Sequence, residues 1–131
     1  MKSLNPALKG YVVEPEGAAA LAGHSVTQPD HPIQGGGYAT PDLSALRGVA
    51  IDGYWQISGS RARDAARMLA RSEGIFAGYS AGANVAAALD VLATHDAGGT
   101  IGVIICDSGL KYLSTDLWDG PPEGEVWPKA R

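Results

Sequence analysis

Residues 53–77 open as Gly53-Tyr54-Trp55-Gln56-Ile57-Ser58. After a stretch rich in alanine and arginine they close as Leu69-Ala70-Arg71-Ser72-Glu73-Gly74-Ile75-Phe76-Ala77. The first five residues read as a strand, and Ser58 is a good helix cap. Ala62, Ala65, Ala66 and Leu69 recur at i, i+3, i+4 and i+7, the spacing of one helical face, while Arg61, Arg63, Arg67 and Arg71 fall mostly on the others. Gly74 supplies the left-handed residue that ends such a helix, and Ile75–Ala77 reads as a short buried strand. Working outward, Tyr11-Val12-Val13-Glu14 before Pro15 is a strand, and Gly17–Leu21 is a short helical turn ended by Gly23. Residues 24–41 are loop, broken by Pro29, Pro32, Pro41 and the triplet Gly35-Gly36-Gly37. Ala83–Ala93 is a second helix, and Gly98-Gly99 leads into Thr100-Ile101-Gly102-Val103-Ile104-Ile105-Cys106, the pattern of a strand buried on both faces. Strands alternating with helices predict an α/β layered fold with a mainly parallel sheet and right-handed crossovers.

The chain has 131 residues, the size of one domain, with 45% hydrophobic and 18% charged residues. A net charge of -4 leaves no basic surplus for phosphates, so neither nucleic acid nor an anionic membrane is expected as a partner. The 18 glycines and 8 prolines predict many tight turns and backbone packed closely against its neighbours. A single cysteine, Cys106, excludes an intramolecular disulfide and fits the cytoplasm. It reads as a small buried strand residue with no basic neighbour to make it a thiolate. No apolar run reaches the ~20 residues of a membrane span, and no cluster has the spacing of metal ligands.

Gly78-Tyr79-Ser80-Ala81-Gly82 lies between a strand and a helix, where ligands gather in open sheets. Three readings stand side by side. Ser80 caps the following helix; or it is the nucleophile of a G-x-S-x-G esterase elbow; or its hydroxyl bonds a heteroaromatic ring nitrogen. The esterase needs a general base after the serine, and His95 alone follows it, at the far end of the helix.

The third reading gains from a resemblance. Val12-Val13-Glu14-Pro15, His31-Pro32-Ile33-Gln34-Gly35-Gly36-Gly37-Tyr38, the 62–75 helix and its exit, the Ser80 motif, and Asp107-Ser108-Gly109-Leu110-Lys111-Tyr112-Leu113-Ser114-Thr115 occur in the order found in the cysteine synthase family. That family comprises fold-type II pyridoxal-phosphate enzymes, among them O-acetylserine sulfhydrylase and cystathionine β-synthase. The resemblance implies the C-terminal part of a three-layer, tryptophan synthase β-like domain over residues 1–118, followed by an irregular tail at 119–131. It further implies pyridoxal 5'-phosphate as cofactor, with Ser80 at its pyridine nitrogen and Asp107 and Ser108 near the pyridine edge. An Asx-type turn is the alternative for that last pair. Gln34, Gly35, Gly36, Gly37 and Tyr38 resemble the loop lining the substrate mouth, although many relatives carry bulkier residues among these glycines. Cys106 stands where the family commonly has proline.

The resemblance also exposes an absence. The family's Schiff-base lysine, its substrate-carboxylate loop and its phosphate loop have no counterpart here; Lys111 comes nearest the crevice and reads as a solvated lysine. Gly98-Gly99-Thr100 precedes a strand and opens no helix, so it offers a phosphate no helix N-terminus. The chain is therefore expected to be inactive alone and to need an N-terminal partner segment or a homo-oligomer. A truncated sheet should leave apolar surface, for which Trp55, Trp118 and Trp127 are candidate covers. Completed, it would join sulfide or a thiol to the β-carbon of O-acetylserine or serine. A non-catalytic interaction or regulatory remnant of the fold is the alternative of a different class.

Overall fold

The computed structural model describes residues 2–34, 39–95 and 97–119. β1 (Tyr11–Pro15) and β2 (Gly53–Ile57) pair in parallel, Tyr11 opposite Gly53 and Pro15 opposite Ile57. Alternation along the strands sends Val13, Trp55 and Ile57 into the core beneath the helices. Glu14 and Gln56, also paired, point to the opposite face. Glu14 is 2% exposed, and its two carboxylate oxygens accept the backbone N–H groups of Leu21 and Ala22 at 2.9 Å each. Those charge-assisted bonds offset the desolvation of the carboxylate and fold residues 16–23 over the sheet. That segment is a series of turns, with φ of +77° at Gly17 and +83° at Gly23, and the short helical turn expected at Gly17–Leu21 does not extend to a helix. Among the described residues of the 16–52 crossover the regular structure is one 3-10 turn, Ser44–Leu46. Proline, which lacks the N–H a helix needs, recurs along it.

α1 (Gly59–Glu73) is as the sequence predicts. The Ser58 hydroxyl accepts the Arg61 N–H at 3.3 Å, and Gly74, at φ +70°, returns its N–H to the carbonyls of Ala70 and Leu69. Ala62, Ala65, Ala66 and Leu69 are buried. Arg67 is the departure, for it too is buried. Its guanidinium donates to the carbonyls of Leu117 at 2.6 Å, Asp116 at 2.8 Å and Asp119, stapling the end of the described chain to α1.

α2 (Tyr79–Thr94) starts four residues before the expected Ala83 and packs along α1 on the same face of the sheet. A Cβ on Gly82 would sit 2.0 Å from the Ala62 carbonyl oxygen, so glycine is what allows the two backbones to approach this closely. Alanines 62, 65, 66, 83, 86 and 87 fill the rest of the interface, with Ile57 and Trp55 beneath.

Two expected strands do not form as such. Ala77 makes an isolated antiparallel bridge with Ser108, while Ile75 and Phe76 are each 41% exposed. Residues 100–106 are irregular, with Ile104 at 76% and Ile105 at 42% exposure. A strand exists only as a member of a ladder, and among the described residues no strand lies beside this run. For the same reason Cys106 is neither buried nor in a strand; it is exposed, with Sγ 3.5 Å from Asn84 Nδ2. Among the described residues no helix is long and apolar enough to cross a membrane. Gly35–Tyr38, Trp127 and the tail from residue 120 onward lie outside the described residues.

Candidate functional site

α2 begins where the chain turns out of Ala77, and each glycine of Gly78-Tyr79-Ser80-Ala81-Gly82 has a packing reason. A Cβ on Gly78 would lie 2.3 Å from both Asp107 Oδ1 and the Tyr112 ring; Gly82 is the helix contact already described. The spacing that resembles a nucleophile elbow is thus accounted for by close packing.

Ser80 does not cap the helix. Gly78 is the N-cap, with no side-chain bond, and Ser80 is the second residue of α2. It is half-buried, and its hydroxyl donates to the Gln34 carbonyl at 3.1 Å. Ser80 and Gln34, 46 positions apart, are therefore brought into contact. His95 ends α2 with Nδ1 2.5 Å from the Thr94 hydroxyl. The helix rise of ~1.5 Å per residue separates it from Ser80 by roughly 20 Å, so it cannot act as the base of an esterase.

Asp107 packs against the opening of α2. Its carbonyl accepts the Gly78 N–H at 3.1 Å, and its carboxylate lies at the positive end of the helix dipole. Oδ2 accepts the Tyr112 hydroxyl at 2.6 Å and pairs with Lys111 Nζ at 3.3 Å, while Oδ1 is buried with no partner. Burial first, then the bond to the Asp107 carboxylate, pushes the Tyr112 phenol up to about 12. Ser108, exposed, uses its hydroxyl to accept the Leu110 N–H at 3.3 Å and cap the 3-10 turn Gly109–Tyr112. Ser108 thus makes a local serine turn, whereas the Asp107 carboxylate, bonded to Tyr112 and Lys111, does not make the Asx-type turn that the sequence offered as an alternative. Lys111 is 67% exposed, in keeping with a solvated lysine.

Sequence reasoning missed the support around these residues. Tyr79, next to Ser80, donates its hydroxyl to Asp116 at 2.6 Å, and Arg63 pairs with the same carboxylate at 3.1 Å. Burial and that carboxylate raise the Tyr79 phenol, while Tyr79 and Arg63 hold Asp116 below its usual range. The Asp107–Lys111 pair had a local signal, the i,i+4 spacing of opposite charges; Tyr79–Asp116 had none. A separate polar hollow of about 500 Å³ opens beyond the ends of β1 and β2 between Glu16, His24, Thr27 and Gln56, and Ser80 does not line it. Among the described residues no three metal-ligating side chains converge.

A parallel sheet backed by an α-helical pair, with this motif opening the second helix, places the chain in the α/β class of fold-type II pyridoxal-phosphate enzymes. The chain belongs to the family described as pyridoxal-phosphate dependent enzyme, which it matches over residues 1–107. O-ureido-L-serine synthase from Streptomyces lavendulae is 37% identical over 131 residues, covering 97% of this chain and 39% of that protein. A crystal structure of an O-ureido-L-serine synthase variant with O-ureido-L-serine bound aligns at a TM-score of 0.77 and 36% identity, covering 95% of this chain and 38% of that one. The cysteine synthase of Entamoeba histolytica aligns at 0.79 and 31% identity, covering 95% and 36% respectively. The chain thus spans about two fifths of the length of the relatives it matches. The family cofactor is pyridoxal phosphate.

Proposed function

We propose that this chain forms the part of a β-replacing pyridoxal-phosphate enzyme that holds the pyridine-nitrogen edge of the cofactor and one wall of the substrate mouth. The observation that carries the reading is the Ser80 hydroxyl, half-buried at the start of α2, with a main-chain carbonyl as its partner. The residues present fit that edge of the group and no other part of it. A hydroxyl has one hydrogen to give, and Ser80 can turn it from the Gln34 carbonyl toward a ring nitrogen at little cost. The unpartnered Oδ1 of Asp107 lies against Gly78, two residues away, while Ser108 is held by its own turn.

Pyridoxal phosphate, when bound, supplies an electron sink for negative charge developing at the substrate α-carbon. Ser80, being neutral, bonds the ring nitrogen without holding a proton on it, which moderates that sink and favours chemistry at the β-carbon. Gln34, whose carbonyl meets the Ser80 hydroxyl, is proposed to line the substrate mouth. The substrate class is a serine activated at its hydroxyl, and sulfide or a thiol is the proposed nucleophile. Cysteine and O-ureido-L-serine, the products for which the relatives are named, both carry a substituent on the β-carbon of a serine-derived skeleton. Lys111 is exposed beside Asp107 and reads as a solvated lysine, so the Schiff-base lysine and the phosphate loop are proposed to come from polypeptide beyond these residues.

Titration with pyridoxal phosphate, read by quenching of tryptophan fluorescence, tests the assignment. Weak, reversible binding is expected, lost in Ser80→Ala, with no covalent label after borohydride reduction and mass spectrometry. Binding indifferent to Ser80→Ala, or label fixed on Lys111, would overturn it.

A further inference from the structure

A helix begins with N–H groups that have no acceptor within the helix, and a capping side chain ordinarily satisfies some of them. α2 has no such cap: Gly78 stands at that place and makes no side-chain bond. A capping side chain is shut out there, because any Cβ on Gly78 would collide with the Asp107 carboxylate and the Tyr112 ring. The first turn, which carries Ser80 as its second residue, must therefore be held by other means or fray.

Two buried phenols supply them. Tyr79, the first residue of α2, is 2% exposed and Tyr112 3%, and their rings meet edge to face with centroids 5.7 Å apart. Each donates its hydroxyl to a carboxylate at 2.6 Å, Tyr79 to Asp116 and Tyr112 to Asp107, the short geometry of charge-assisted bonds. The two arms anchor in different places. Asp116 pairs with Arg63 of α1 at 3.1 Å, and the Asp107 carbonyl accepts the Gly78 N–H at 3.1 Å. The contacts thus run from Gly78 through Asp107, Tyr112, Tyr79 and Asp116 to α1, leaving the Ser80 hydroxyl to the Gln34 carbonyl. We infer that Tyr79 and Tyr112 are positioning residues for Ser80, their two phenol–carboxylate bonds replacing the missing cap and fixing the turn from which its hydroxyl projects. On a frayed turn a serine spreads its hydroxyl over several directions; on a fixed one a staggered rotamer aims it at one point. The inference rests on the assignment of Ser80 to the ring nitrogen, but the holding of the turn is measurable without cofactor.

Tyr79→Phe and Tyr112→Phe remove one hydroxyl each and keep the rings. In hydrogen exchange on the full chain, the Gly78 and Gly82 amides, bonded to the Asp107 and Gly78 carbonyls, should lose roughly tenfold in protection, the effect of one charge-assisted bond. The Val91 amide, near the far end of α2, should be unchanged. Asp116→Asn, which keeps an acceptor for Tyr79, should match the parent, and Asp116→Ala should match Tyr79→Phe. Affinity for pyridoxal phosphate, read by the same tryptophan quenching, should fall by about tenfold in both Phe variants. It should hold in Glu14→Ala, which weakens the fold elsewhere. Unchanged protection at Gly78 and Gly82, or an equal loss at Val91, would overturn the inference. So would parent affinity in both Phe variants while Ser80→Ala abolishes binding. Local protection lost in the Phe variants, with binding indifferent to Ser80→Ala, supports the clamp and overturns the cofactor assignment instead.

Discussion

Gly82→Ala is the substitution whose cost the structure fixes best. In an isolated helix the change would help, since alanine is better than glycine by ~1 kcal/mol. Here the new methyl would meet the Ala62 carbonyl oxygen at 2.0 Å, and the Ala62 carbonyl carbon and Ala66 Cβ at 3.0 Å. Two of those atoms are backbone, so no side chain can rotate away. α1 must retreat by about 1 Å or more, opening the alanine-lined interface above Ile57. Overpacking of this kind costs about 1–3 kcal/mol, and a contact with backbone belongs at the upper end. The net loss is about 2 kcal/mol, a fall of roughly 8 °C in melting temperature for a chain this size. Thermal and urea unfolding followed by far-ultraviolet circular dichroism measures it, with Gly102→Ala as control because nothing lies within 4 Å of that site. A Gly82→Ala protein that melts at or above the parent temperature would refute the close helix contact.

Arg67→Met removes the donor to three carbonyls in 116–119 and should cost about 2–3 kcal/mol, with red-shifted Trp118 fluorescence as its stack on Phe76 loosens. Unchanged emission would contradict the staple. Glu14→Ala strands two N–H groups, those of Leu21 and Ala22, and should lower stability by about 1–3 kcal/mol in urea titration. Tyr112 titrates near 12 in the fold against 10.0 when exposed, so its protonated form is favoured by folding. Its contribution is whole below pH 10 and is lost as the pH climbs toward 12; Tyr112→Phe should flatten that alkaline fall. On the acid side Asp116, lowered from 3.8, contributes above that value and loses its share as the pH drops. The effect in an acid titration is small because the side chain is 67% exposed.

What the sequence made legible was whatever its own neighbours determine. α1 carries its start, its stripe and its end within residues 58–74, and all three appear as read. The start of α2 was obscured because its N-cap is a glycine, which offers no side-chain signal, while the nearby serine that looked like a cap is spent on Gln34. Arg67 resembles its exposed neighbours locally; its acceptors lie some 50 positions away. Residues 101–106 show the limit most plainly. Composition marks them as strand material, but a ladder requires a partner, and none stands beside them among the described residues. At the site, the Ser80 bond to the Gln34 carbonyl joins two residues that the sequence singled out separately, and no local pattern marks the Tyr112 bond to Asp107.

The parallel pairing of β1 with β2 has a kinetic corollary. The two strands are joined by residues 16–52, a crossover whose described part contains no α-helix to shorten the search, whereas α1 and α2 are joined by residues 74–78 alone. Closing the short connection sacrifices far less chain entropy than closing the long one. The helical hairpin is therefore expected to assemble first, offering a floor of alanines on which the sheet condenses, with the pairing of Val13 and Trp55 across that crossover as the expected late step of refolding.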